Sequence, residues 1–555
     1  MGAAAELVPP PWQTALAAAG AGALVVAAGY LHTLRYPFHF DDFDWIRDNP
    51  SLAPPLDLAA IWDFRPSRFV ADVTFALNRI TTGESPASYR ATNLLIHWLA
   101  SLLVGGIAVE LARAASAGGA GGAGREARGT ARYEEPVAAP RAARSPAVVG
   151  AIAALLFAAH PLATQSVTYL TQRITSLAAL LVLASVACFI HARRASGHTW
   201  WIASWALALA AALTKEMAVA LPFAILGSET WLRERRAPGR ASGLRIAPYF
   251  LIVPLVVWAA RHPLGPERLM ASGLRETAEI GRAEYLFTQM TVIPRYLGLV
   301  LWPAGQCLDP VPPLHARPDA AVLAGAALLL ALTVASLTYR RRAPLVLAGW
   351  GWFLVTVAPE SSLIPIRDLM TEQRAYLPLA GLCWIAAAAL ASLSAMRAVA
   401  AAAIVVALTT VTHARNRVWR DERTLWSDSV AKAPASARAQ NNLGLALESG
   451  GRASEAERAY RAAIAADPAH VFARVNLGRL YGRSRRLDEA LRLLSEADSL
   501  SPGEPLVLNN LGTLWWSKGD TARAAALYVR ALEANPRAPY PAANLERMRR
   551  GLPAP

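Results

Sequence analysis

The chain is nearly without lysine and cysteine: three of each occur in 555 residues, against 52 arginines. Three cysteines build no disulfide framework, and Cys188 and Cys383 lie in apolar runs, which also argues against a cysteine metal site. Charged residues make up only 17% of the chain and apolar ones 54%, a balance that argues against a single soluble domain. The signatures HExxH, GxSxG and CxxC and the phosphate-binding P-loop are all missing. Their absence argues against zinc proteolysis, serine hydrolysis and nucleotide hydrolysis. The net charge of +15 comes from arginines clustered between apolar runs, a membrane-topology pattern and not a nucleic-acid face.

Long apolar runs are what the chain has instead. Runs of about twenty residues, enough to cross a bilayer core, recur from Thr14 to Thr412. The first, Thr14–Leu34, lacks a basic leader and a cleavage site, so it reads as a retained span. Eleven spans are expected, near 14–34, 92–112, 147–162, 174–192, 199–213, 217–232, 246–260, 319–339, 344–358, 374–394 and 397–412. Residues 284–303 are apolar but carry Pro294 and Arg295, and are expected to form one further re-entrant or interfacial helix. Arginine clusters at 113–144, 193–194, 233–245 and 340–342 are expected to be cytoplasmic. The outer face then gathers residues 41–48, 160–173, 214–216, 261–317 and 366–374. Polar clusters converging on one side of an apolar scaffold have the arrangement of an active site.

Residues 113–146 are rich in Ala, Gly and Arg and read as a disordered cytoplasmic loop. The C-terminal region is periodic. "NNLG" at Asn441, "VNLG" at Val475 and "NNLG" at Asn509 repeat every 34 residues, as do Pro434, Pro468, Pro502 and Pro536. Two helices per repeat, small packing residues and a proline at the turn define a tetratricopeptide α-solenoid. The expected fold is therefore all-α: a polytopic membrane domain over 1–413, a connecting helix over 414–433 and repeats over 434–555. A concave repeat face suits a peptide, and the final span places it outside.

Chemistry concentrates in a few places. "FHFDDFDWIRDNP" (38–50) sets four aspartates within eight positions, with Asp41 and Asp42 adjacent. Paired carboxylates can divide labour, one ionised and one of raised pKa, giving a general base or an acceptor-positioning group. The competing reading is a solvated acidic turn. Tyr89, Asn93 and His97 share one helix face that must turn inward, for chemistry or for interhelical bonding. His160 precedes Pro161 at the outer end of a span, where a lone histidine is more often structural. Lys215-Glu216 interrupts hydrocarbon, so the pair is functional or mutually neutralising. Arg367-Asp368 and Glu372/Arg374 lie between two spans, where guanidinium groups can hold a phosphate bidentately or build a salt-bridge network. Arg65 and Arg68 in "FRPSRF" are similar candidates.

Read in order, "FDDFDWIRDNP", "FRPSRF", "YRATNLLIH", "LFAAHPLATQSVTYLTQR", "LTKEM", "PAGQCLDP", "IPIRDLMTEQRAYLP" and the repeat tail resemble one family. It is the transmembrane and tetratricopeptide repeat O-mannosyltransferase-like family, related to protein O-mannosyltransferases of the GT-C membrane glycosyltransferase class. The resemblance covers nearly the whole chain outside 113–146. It implies a GT-C-like bundle, a polyprenyl-phosphate sugar donor and inverting transfer, with Asp41 and Asp42 activating the acceptor. It also makes His160, Arg173, Lys215, Arg367 and Arg374 candidate contacts to donor phosphate or sugar. The implied partners are that lipid-linked sugar, a protein or peptide acceptor and the bilayer. No cofactor is implied with certainty, and a divalent metal is left open. The expected location is a bacterial-type inner membrane with the repeats on the outer side. A repeat-bearing scaffold and a lipid-linked sugar transporter remain as alternatives.

Overall fold

The computed structural model describes residues 11–126, 145–195, 197–234, 243–261, 280–362, 365–393, 396–536 and 538–554. The chain divides into two compact units. One comprises residues 1–306 and 312–421; the other comprises 307–311 and 422–555.

The first unit is a bundle of apolar helices with fewer full-length spans than expected. Among the described residues, six helices are long and apolar enough to cross a membrane: Ala15–Arg35, Pro86–Ser116, Leu170–Ala192, Ala320–Thr338, Glu372–Ser392 and Arg397–Arg420. A seventh span results if Pro146–Ala159 and Pro161–Thr168, bent by 54° at His160, are counted as one. Helices Thr199–Ala212, Gly243–Ala259 and Pro344–Glu360 are apolar but shorter. The count of eleven is thus corrected, because polar or proline-bearing turns cut several apolar runs. The expected span 217–232 begins with a 3₁₀ turn, Glu216–Ala220, and its α-helix is only the 14 residues Leu221–Glu234.

The segment expected to be a re-entrant or interfacial helix is one unbroken 20-residue helix, Arg282–Leu301, and is not among the six. Pro294 lies inside it and supplies no N–H to the carbonyl of Met290. Gly325 of a neighbouring helix sits against that carbonyl, so closely that a Cβ would lie 1.9 Å from it. The expected disordered loop also starts late, since helix Pro86–Glu126 continues through residues 113–126. Residues 127–144 fall outside the described chain.

Close approach of backbones holds the bundle where side chains are apolar all round. A Cβ on Gly349 would lie 2.3 Å from the carbonyl oxygen of Gly381, and one on Gly381 2.2 Å from that of Gly349. Small residues at such a crossing let van der Waals packing replace the missing hydrophobic drive between lipid-facing helices. Buried indoles add fixed ties: Trp352 donates to the Leu377 carbonyl and Trp384 to that of Val104, both at 2.9 Å.

In the second unit, helix Glu422–Lys432 precedes the pairs Ala437–Ser449/Ala453–Ala466, Val471–Arg483/Leu487–Leu500 and Pro505–Ser517/Thr521–Ala534, and Pro539–Arg549 closes the array. The 34-residue period surfaces as an asparagine ladder. Asn476 donates to Asn441 and Asn544 to Asn509, each at 2.9 Å. Residues Cys307–Val311 belong to this unit, where Asp309 accepts from Ser436 and from Arg438.

Candidate functional site

The acidic loop is pinned through one of its two adjacent carboxylates. Asp42 is fully buried and accepts from the N–H (2.8 Å) and hydroxyl (2.6 Å) of Thr171 and from the N–H of His39 (3.0 Å). Its partners are all donors, so both oxygens are committed. Burial raises the Asp42 carboxyl above its ordinary range, and the bonds from Thr171 and His39 oppose that rise. Phe40, just before the pair, has a left-handed φ of 45°, a strained state for an aromatic residue that persists where neighbours over-determine it. The Asp42 bonds supply that constraint.

Asp41 is different. It is half-buried, its N–H donates to the Tyr169 hydroxyl at 3.2 Å, and its side chain also hydrogen-bonds that hydroxyl. Asp44 and Asp48 are exposed, and Asp48 pairs with Arg47 at 2.8 Å. The four acids thus divide into one anchor, one carboxylate at the site and two at the surface.

A buried ion-pair cluster begins one helical turn further along. Lys215 donates to Thr175 at 3.0 Å and pairs with Glu360 at 2.9 Å. Arg68 pairs with Glu216 at 2.7 Å, both nearly inaccessible. Arg374 lies in the field of Tyr285, Tyr296, Glu360 and Asp368. Tyr169, Thr171 and Thr175 fall within seven residues of sequence, at the start of helix Arg173–Ala192. This single stretch therefore joins the acidic loop to the cations. At roughly 1.5–2 Å of rise per residue, Thr171 and Thr175 are about 6–8 Å apart along the axis.

Other candidates are occupied in holding helices together. Arg173 is fully buried and donates to Asn93 (2.7 Å), Thr74 (3.2 Å) and the Tyr89 carbonyl (2.9 Å). Asn93 donates in turn to the Val167 carbonyl at 3.0 Å. His97 engages the Tyr376 hydroxyl at 2.8 Å and the Ala158 carbonyl at 3.2 Å. His160 caps Leu162 through Nδ1 and meets the Val300 carbonyl through Nε2. Arg65 forms a two-pronged pair with Asp72 at 3.0 and 2.5 Å and lies over the Trp45 ring. Glu372 is buried and accepts from Gln306 at 3.2 Å. Arg367 is exposed and Asp368 half-buried.

The tetratricopeptide repeat family profile matches residues 415–471 and 475–539. Over 508 aligned residues the chain is 24% identical to Protein O-mannosyl-transferase Tmtc3 of Drosophila melanogaster, covering 78% of this chain and 53% of that protein. The chain is related to the transmembrane and tetratricopeptide repeat O-mannosyltransferase-like family. It spans about half the length of this curated relative, 53%. Similar solved structures include MamA, at 24% identity and a TM-score of 0.20, covering 21% of this chain and 67% of MamA. Another is YrrB, described as a TPR protein with an unusual peptide-binding site. It is 17% identical, with a TM-score of 0.21, covering 30% of this chain and 82% of YrrB.

Several residues of the candidate site had no strong sequence signal. Tyr169 and Thr171 lie in a motif noted for its histidine and arginine, yet they are the residues of that motif that touch the acid pair. Glu360 ends an apolar helix and gives Lys215 its partner; a lone acid after hydrocarbon was the available cue. Among the described residues, no group of three or more His, Cys, Asp or Glu side chains converges to hold a metal ion.

Proposed function

We propose that the chain is a GT-C-type membrane glycosyltransferase. It moves a mannose-like hexose from a polyprenyl phosphate to a hydroxyl of a protein or peptide acceptor on the outer face of the membrane. One observation carries the reading. A half-buried carboxylate, Asp41, and a buried cation cluster are both anchored on residues 169–175. In an inverting transfer the acceptor oxygen bonds to the anomeric carbon while the bond from that carbon to the phosphate oxygen breaks. The acceptor proton goes to Asp41, and the polyprenyl phosphate leaves as an anion. Cations at membrane depth stabilise that anion best where water is scarce. Lys215, Arg68 and Arg374 are the cations for this role, each held beside a carboxylate or tyrosine in the resting protein.

Asp42 is the positioning residue in this scheme: it fixes the loop that presents Asp41. Arg173, Asn93, His97 and His160 hold the helices that carry the site, and Arg65 lies over Trp45 of the acidic loop itself. The repeats bind the acceptor on the same outer side. Exchange of a radiolabelled hexose from polyprenyl phosphate onto acceptor peptide by purified protein tests the proposal. Donor binding without transfer, with labelled lipid crossing a proteoliposome, would favour a transporter instead.

A further inference from the structure

Next to the cations stands a second set of polar groups that the phosphate does not account for. Gln289 is fully buried; its Nε2 donates to the Leu369 carbonyl at 2.9 Å, while its Oε1 has no partner among the described residues. Glu216 pairs with Arg68 through Oε2, and its Oε1 is likewise unpartnered. Among the described residues, the hydroxyls of Ser361 and Thr371 are buried without partners as well. Native proteins satisfy the large majority of buried polar atoms, and four unsatisfied ones tied to one segment call for an explanation.

These groups lie around the same segment. Tyr285, one turn before Gln289 on the same helix face, donates to the Glu360 carbonyl at 2.7 Å. Ser361 follows Glu360, whose carboxylate holds Lys215, the neighbour of Glu216. Leu369, which receives Gln289, also receives Arg374 at 3.5 Å and precedes Thr371 by two residues. Two acceptor oxygens and two hydroxyls, set beside cations, complement a ligand rich in hydroxyl groups.

We infer that Gln289, Glu216, Ser361 and Thr371 form a hydroxyl-recognising subsite for the sugar ring of the donor, distinct from the cations that take its phosphate. The inference rests on the donor reading above. Sugar hydroxyls donate to Gln289 Oε1 and Glu216 Oε1 and exchange hydrogen bonds with Ser361 and Thr371. This subsite therefore distinguishes a glycosylated polyprenyl phosphate from the bare lipid phosphate.

The test is equilibrium binding of two probes, polyprenyl phosphate and mannosyl polyprenyl phosphate, to the full chain in lipid nanodiscs. Wild-type protein should prefer the mannosylated lipid. Gln289→Leu and Ser361→Ala should each reduce that preference by about 3- to 10-fold, the worth of one neutral hydrogen bond, with affinity for the bare phosphate unchanged. Ser361→Ala removes a hydroxyl with no described partner, so its result does not depend on tolerance of a lost contact at Leu369. Unchanged preference in both variants, or equal loss for the two lipids, would overturn the subsite. If wild-type protein binds neither lipid, the donor reading itself fails, and the subsite with it.

Discussion

Replacing each member of the acid pair by asparagine should separate an anchor from a reacting group. Asp42 has zero exposure and takes three hydrogen bonds, two on Oδ1 from Thr171 and one on Oδ2 from His39. Asparagine keeps one acceptor but sets an NH₂ against the His39 N–H, leaving buried donors face to face. Such an orphaned group costs about 1–3 kcal/mol, and the strained turn at Phe40 loses its restraint. Asp42→Asn should therefore lower the unfolding midpoint in detergent. Asp41→Asn changes a half-buried side chain and should stay within about 0.5 kcal/mol of wild type. Its transfer rate should nevertheless fall about 10²- to 10⁴-fold, the usual contribution of a positioned base. Thermal unfolding and donor turnover on the same preparations measure both. A stable Asp42→Asn protein without activity, beside an unstable Asp41→Asn protein, would reverse the roles and refute the reasoning. The pH dependence has a definite sign. Burial raises the Asp42 carboxyl above its ordinary 3.8, so its contribution is complete below that value and is lost as pH rises through the folded-state pKa. The stability gap between wild type and Asp42→Asn should accordingly narrow from acid towards neutral pH in denaturant titrations, and a widening gap would contradict the assignment.

Arg374→Ala removes a cation from the proposed phosphate contact and should weaken polyprenyl-phosphate binding about 10- to 100-fold, the worth of a charge-assisted hydrogen bond. Labelled-lipid binding reads this out. Trp419 is buried against Tyr169 at 5.4 Å and His39 at 6.1 Å. Truncation after Val418 should thus destabilise the first unit by about 3–5 kcal/mol, as large aromatic deletions do, whereas truncation after Asp421 should keep its melting midpoint. Cysteines introduced near Gly121 and Gly450, with the native cysteines replaced, should react with impermeant reagents from opposite sides of the membrane. Labelling of both from one side would contradict the proposed topology.

Periodicity carried most of what was legible in the sequence. The 34-residue repeat fixed the solenoid, because each repeat must meet its neighbour through the same small and aromatic positions. Apolar runs located membrane helices but overcounted full spans, since run length does not report that the α-helix after Lys215-Glu216 starts only at Leu221 and runs 14 residues. The acid pair was visible as composition, but the distinction between Asp41 and Asp42 was not. That distinction depends on Tyr169 and Thr171, about 130 residues away in sequence, at separations of 128 and 129. Likewise the inward face of Asn93 and His97 followed from helical spacing, whereas their partners Arg173 and Tyr376 come from other helices. Uncharged Gln289 has no motif at all; only its buried, half-satisfied amide draws attention to it.

The central claim is that Asp41 accepts the acceptor's proton in transfer from a lipid-borne sugar. Single-turnover transfer from radiolabelled mannosyl polyprenyl phosphate to a peptide, by purified wild-type and Asp41→Asn protein at equal donor occupancy, tests it most directly. We expect labelled peptide from wild type and a rate lower by about 10²-fold or more in the variant, with donor binding intact. Equal rates in the two proteins would contradict the claim and return Asp41 to a solvated turn.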